Sequence, residues 1–223
     1  AQVKKNERIC TTIEGFSKIF PNFAQIDKMQ DIGLFQLQSE LEVPQRLDNY
    51  FGWIKEHIKN NKNINEKLSN LMYDKIYDYV MGKIYDKIFP IDTDQKDDLI
   101  QNNSIILSWV EPRHFIPSKK NYVYEGYLPD VIKNFDILDK VKSPRQKLKS
   151  MSEIFNLIIN LLKFNGVGDT TAGVDDQIPI LNYSLIKASP AKIYSNCKFM
   201  ELYIGDLKSK REGNQLTQLL IVC

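Results

Sequence analysis

Two adjacent carboxylates, Asp175 and Asp176, follow the most glycine-rich stretch of the chain, Asn165 to Gly173 (NGVGDTTAG). Within it, Gly168 to Gly173 reproduces the glycine spacing of a phosphate-binding loop, but Val174 and Asp175 stand where that motif carries Lys and then Ser or Thr. A carboxylate in place of the phosphate-facing ammonium repels nucleotide, so this loop does not cradle one. The same carboxylate suits the opposite task of meeting the lysine of a phosphate loop in another protein, because an ionised oxygen can imitate a phosphate oxygen in a desolvated interface. The plainer alternative, on these residues alone, is that Asp175 caps the helix leading into Pro179.

Other chemistry has little to work with. His57 and His114 have no second His, Cys or carboxylate at ligand spacing, so no metal site and no cofactor are expected. A nucleophile elbow, Gly-x-Ser-x-Gly, does not occur, which removes the usual acyl-transfer machinery. Cys10, Cys197 and Cys223 are odd in number and widely spaced, which fits a reducing cytosolic setting rather than a disulfide framework or a structural zinc site.

The 223 residues carry 30 basic and 28 acidic side chains for a net charge of +2, and 26% are charged against 43% hydrophobic. That balance suits a globular chain of one large or two small domains. Lys and Asp alternate, as in Asp74-Lys75, Asp86-Lys87 and Lys96-Asp97-Asp98, instead of gathering into a phosphate-tracking stripe, so nucleic acid is not an expected partner. The longest apolar stretch, Ile154 to Phe164, is broken by two Asn and a Lys and falls short of the roughly 20 residues of a membrane span. The start at Ala1 and the stop at Cys223 in mid-pattern read as those of an excised fragment with a truncated last helix.

Helical periodicity supplies the elements that must hold these residues. Ile64, Leu68, Met72, Ile76, Val80, Ile84 and Ile88 recur every four positions and predict one long helix that Pro90 ends. Tyr73, Tyr77 and Tyr85 lie beside this stripe and are expected to close a bundle seam. Weaker patterns at Ile9–Ile19 and Leu34–Ile58, broken by Pro21 and Pro44, predict short helices. Downstream, a helix is expected from about Asp97 to Val110, with Trp109 as a packing residue and an interface role as its sharper alternative. Ser143-Pro144 and Ser189-Pro190 each place a hydroxyl before a proline at a helix start, predicting helices over Pro144–Phe164 and Pro190–Ile204. The fold class is all-α, and the acidic pair sits where a loop enters the helix carrying Ile178, Leu181 and Leu185.

From about Tyr79 the chain resembles the Vps-nine (vacuolar protein sorting nine) domain. The resemblance is carried by YVMGKIYDKIFP, QKDDLIQNNSIILSWVEPRHF, SPRQKLKSMSEIFNLI, GVDDQIPILNYSLIKASPAKIYSNCKFM and EGNQLTQL. In the fourth segment Asp175, Asp176, Pro179, Leu181, Tyr183, Ile186, Lys187, Pro190, Ser195 and Asn196 fall in register with the family pattern. The resemblance implies a layered helical bundle over residues 79–223, preceded by an amino-terminal helical bundle over 1–78. It also implies a guanine-nucleotide exchange factor for an early-endosomal GTPase of the Rab-five class, working in the cytoplasm and peripherally at endosomes. Asp175 takes the place of the family's acidic finger, which pairs with the lysine of the GTPase phosphate loop and disfavours Mg²⁺ and the β-phosphate. Asp176 is left as the better capping residue. Pro179 lies on the docking surface and Thr217 at the family's polar position against the GTPase. Asn214 replaces a common Tyr and Gln215 replaces an aromatic. The other reading consistent with these departures is a non-catalytic helical scaffold or Rab-binding adaptor.

Overall fold

The computed structural model describes residues 42–60, 64–89, 93–115, 126–165, 173–204 and 209–223. The described residues form eight α-helices and one short 3-10 turn, with no strand among them. The expected all-α class holds. The chain divides into two compact units, residues 1–85 and 86–223. The expected helix at Ile9–Ile19 and most of the glycine-rich stretch lie outside the described residues.

In the first unit, α1 (Glu42–Lys59) and α2 (Glu66–Ile88) bury complementary stripes. Leu47, Phe51, Ile54 and Ile58 of α1 are buried, as are Leu68, Met72, Ile76 and Val80 of α2. The ring of Phe51 lies 4.4 Å from that of Tyr77 and 6.4 Å from that of Tyr73, so two of the three tyrosines, Tyr73 and Tyr77, meet α1 at the seam. Pro44 does not break α1 but sits in its first turn, where the missing N–H would have had no intrahelical partner anyway.

The second unit contains α3 (Asp94–Ile106), the 3-10 turn (Pro112–His114), α4 (Leu128–Lys140), α5 (Pro144–Phe164), α6 (Val174–Ala188), α7 (Ile193–Ile204) and α8 (Lys210–Val222). Helix α5 is central, packing against α4, α6, α7 and α8. Its inward face, Leu148, Met151, Ile154, Phe155, Ile158, Leu161 and Leu162, is buried, and each such side chain contributes about 1.5–3 kcal/mol of transfer free energy. Phe135, Leu181, Ile193 and Leu219 from the surrounding helices complete the core.

Helix α5 begins at Pro144, as its Ser-Pro start predicts. The second Ser-Pro pair does something else. Ser189 adopts φ 43°, ψ 53°, ends α6 in the left-handed conformation, and donates its backbone N–H to the Leu185 carbonyl at 2.8 Å. Pro190 then prevents continuation, and α7 starts at Ile193. Helix α3 also ends earlier than expected, at Ile106, and Trp109 beyond it is 67% exposed instead of packed in the core. Its ring meets His114 edge-on at 5.4 Å.

Candidate functional site

Helix α6 presents the acidic pair at its amino-terminal turn, where the helix dipole favours negative charge. The two carboxylates have different surroundings. Asp176 reaches back to accept from the Gly173 backbone N–H at 3.2 Å, so it is the cap. Asp175 is exposed and makes no hydrogen bond or ion pair with any described residue. Its carboxylate is available to a partner, which removes the burial that a purely internal role would require.

Pro179 lies within α6, four residues after Asp175 and therefore on the same face. It is half-buried, and its ring offers a rigid apolar surface beside the carboxylate. Helix α8, which carries the other two candidates, packs against α6. Asn214 and Thr217, three residues apart on α8, are both exposed. The Thr217 hydroxyl donates to the Gly213 carbonyl at 3.0 Å, so towards a partner it offers an oxygen acceptor and a methyl group, not a free proton. Ser209 and Glu212 start α8 with reciprocal bonds: the Glu212 N–H to the Ser209 hydroxyl at 3.2 Å, and the Ser209 N–H to Glu212 Oε2 at 2.7 Å.

A buried polar network beneath these helices explains several residues of the quoted segments. Asp97 of α3 is 3% exposed and accepts from the Tyr194 N–H at 2.7 Å and the Ser195 N–H at 3.3 Å, capping α7 from another helix. The Ser195 hydroxyl also donates to Asp97 and contacts Thr93. Asp139 of α4 accepts from Asn196 Nδ2 at 2.6 Å and from the Ala191 N–H at 3.1 Å, and burial raises its pKa. The fully buried Lys147 donates to the Leu138 carbonyl at 2.8 Å. Burial pulls its pKa down to about 8 although neighbouring Asp139 favours the charged form. Ser195 and Asn196, read in the sequence only as parts of a pattern, thus hold α7 to α3 and α4. The contribution of Asp97 was not foreseen, because a cap supplied across some hundred residues of chain leaves no local spacing signal.

Among the described residues, no group of three or more His, Cys, Asp or Glu is placed to hold a metal ion, and no helix is long and apolar enough to cross a membrane. What the site presents is a projecting carboxylate, a proline platform and two exposed polar side chains on packed helices. All four lie within residues 128–223, which match the family model of the Vacuolar sorting protein 9 (VPS9) domain. This segment is similar to the VPS9 domain.

Curated relatives agree with that assignment. The human protein named Rab5 GDP/GTP exchange factor is 28% identical over 166 residues, covering 69% of this chain and 32% of the relative. Vacuolar protein sorting-associated protein 9A of Oryza sativa subsp. japonica is 27% identical over 130 residues, covering 56% and 27%. Receptor-mediated endocytosis protein 6 of Caenorhabditis briggsae is 26% identical over 186 residues, covering 79% of this chain and 17% of the relative. The chain spans about a third or less of the length of these proteins. The VPS9 match begins at Leu128, the first residue of α4, and so contains α7 and both helices that carry the candidate site, while Asp97, which caps α7, lies outside it.

Proposed function

We propose that this chain promotes GDP release from a small GTPase of the early-endosomal Rab class, with Asp175 as the acidic finger and Pro179, Asn214 and Thr217 on the docking face. The observation that carries this reading is the exposed Asp175 at the start of α6, bonded to none of the described residues and lying within the segment that matches the VPS9 domain. A relative that aligns with 69% of this chain at 28% identity is named as a Rab5 GDP/GTP exchange factor, which supports the same choice of partner.

No covalent step is needed. A GTPase holds its nucleotide through a phosphate-loop lysine and a bridging Mg²⁺, and picomolar binding corresponds to about 16 kcal/mol. An exchange factor lowers that barrier by binding the empty GTPase better than the loaded one, and linkage requires nucleotide to weaken the factor's grip by the same amount. In this scheme the Asp175 carboxylate takes the lysine that otherwise holds the β-phosphate and repels the phosphate that would return. Acting on such a GTPase places the protein in the cytoplasm and peripherally at endosomal membranes, with no cofactor of its own.

The deciding experiment is release of fluorescent GDP from a panel of endosomal Rab proteins, with the parent chain set beside folded Asp175→Ala. Acceleration by the parent that disappears in the variant supports the reading; absence of acceleration on every Rab defeats it. Asn214 favours the second reading, a Rab-binding scaffold without exchange activity, because the family's common Tyr at this position would supply more buried area and a phenolic hydroxyl. Stable binding of a Rab with unchanged GDP release would select the scaffold.

A further inference from the structure

Helix α8 touches α5 through two polar contacts one helical turn apart. Arg211 Nη2 donates to Asn156 Oδ1 at 2.6 Å, and the Ser152 hydroxyl donates to Gln215 Oε1 at 3.2 Å. Residues 211 and 215 share a face of α8, residues 152 and 156 share a face of α5, and the crossed order of the pairs sets the two helices antiparallel. Gln215 is 4% exposed, and it stands immediately after Asn214 and two residues before Thr217.

We propose that the Ser152–Gln215 and Arg211–Asn156 pairs form a clip that sets the rotation and axial register of α8, making Gln215 a positioning residue for the docking side chains Asn214 and Thr217. This inference rests on the exchange reading above. Leu216 and Leu219 anchor α8 in the core, but apolar burial is non-directional and tolerates small rotations. Hydrogen bonds are directional and do not. A side-chain tip lies about 5–6 Å from the helix axis, so a rotation of about 20° carries it about 2 Å. That displacement is large for groups that must meet a partner surface. Stability alone does not call for the buried pair, since replacing both partners of a neutral hydrogen bond by apolar groups of similar shape is nearly neutral. A polar pair at a position where the resembling family carries an aromatic is therefore accounted for by register rather than by burial.

The test uses the whole chain, with the factor limiting and the GTPase·GDP concentration varied. The double variant Ser152→Ala/Gln215→Leu is expected to melt close to the parent and to keep kcat within about twofold, while KM rises roughly 2- to 10-fold, the range of one lost neutral hydrogen bond. Simple loss of folded protein would lower kcat and leave KM alone. Amide hydrogen exchange should become faster over residues 210–222 and stay unchanged over 174–188. A parent that is active beside a double variant with unchanged KM overturns the clip alone. A parent inactive on every Rab overturns the exchange reading and, with it, the docking role of Gln215.

Discussion

Pro179 stands four residues after Asp175 in α6 and has no N–H to give to the Asp175 carbonyl. The first turn of the helix is thus loosened at the residue whose side chain projects into solvent, and the proline ring is fixed beside it. One short segment joins charge, rigidity and incomplete backbone bonding.

The two neighbouring aspartates should separate cleanly in mutagenesis. Asp175→Ala is expected to slow GDP release roughly 30- to 4,000-fold, the effect of removing one partner of a desolvated charge pair worth about 2–5 kcal/mol. Thermal unfolding should barely move, because its side chain is exposed. Asp176→Ala removes the acceptor for the Gly173 N–H and should destabilise the fold by about 1 kcal/mol. Stopped-flow release and thermal melts distinguish the pair.

Pro179→Ala restores an N–H for the Asp175 carbonyl. Helix propensity favours alanine by about 3 kcal/mol, offset by about 1 kcal/mol for the greater freedom of the unfolded chain, so a net stabilisation of about 1–2 kcal/mol is expected. Exchange should fall at the same time. A variant that melts higher and exchanges as fast as the parent would confine Pro179 to a local backbone role.

Asn214→Tyr tests the departure from the family pattern. Residue 214 is exposed, so the larger ring enters without a steric cost in the free protein. If the docking face includes this position, kcat/KM should rise at least roughly fivefold, about 1 kcal/mol of added interface energy. Unchanged kcat/KM on every Rab would remove residue 214 from the interface.

Asp97→Ala leaves the Tyr194 and Ser195 backbone donors without their buried acceptor. A loss of about 2–3 kcal/mol is expected from the unsatisfied groups, read as a lower denaturant midpoint with an unchanged slope. A change within about 0.5 kcal/mol, the range of an ordinary surface substitution, would mean that α7 does not depend on this cap.

Lys147 should leave a signature in the pH dependence of stability. Its ammonium titrates near 8 in the folded protein against an ordinary 10.5, so between those values the unfolded chain binds more protons. Folding therefore becomes more favourable as pH rises through this window, with a slope contribution of up to about 1.4 kcal/mol per pH unit. Below pH 8 the cost of burying the charge is present in full. Lys147→Met should flatten the rise between pH 8 and 9.5 in denaturant titrations, and an identical slope in parent and variant would show that Lys147 is not the group responsible.

The all-α class, the long stripe from Leu68 to Ile88 and the start of α5 at Pro144 were legible in the sequence, because periodicity and a proline at the first helical position are local properties. The place of the acidic pair in the first turn of a helix was legible too, whereas the finger role of Asp175 is implied by the resemblance and belongs to the proposal above. Ser189-Pro190 misled for a local reason: the same dipeptide can open one helix or close another, and here Ser189 takes a left-handed φ and ends α6. Trp109 misled because a large apolar residue is inside only when a neighbouring element covers it. The cap that Asp97 gives to α7, the burial of Lys147 beside Asp139 and the pairing of Gln215 with Ser152 join residues far apart in the chain. Spacing along one chain carries no term for such contacts, so only the folded arrangement of α3, α4, α5, α7 and α8 decided them.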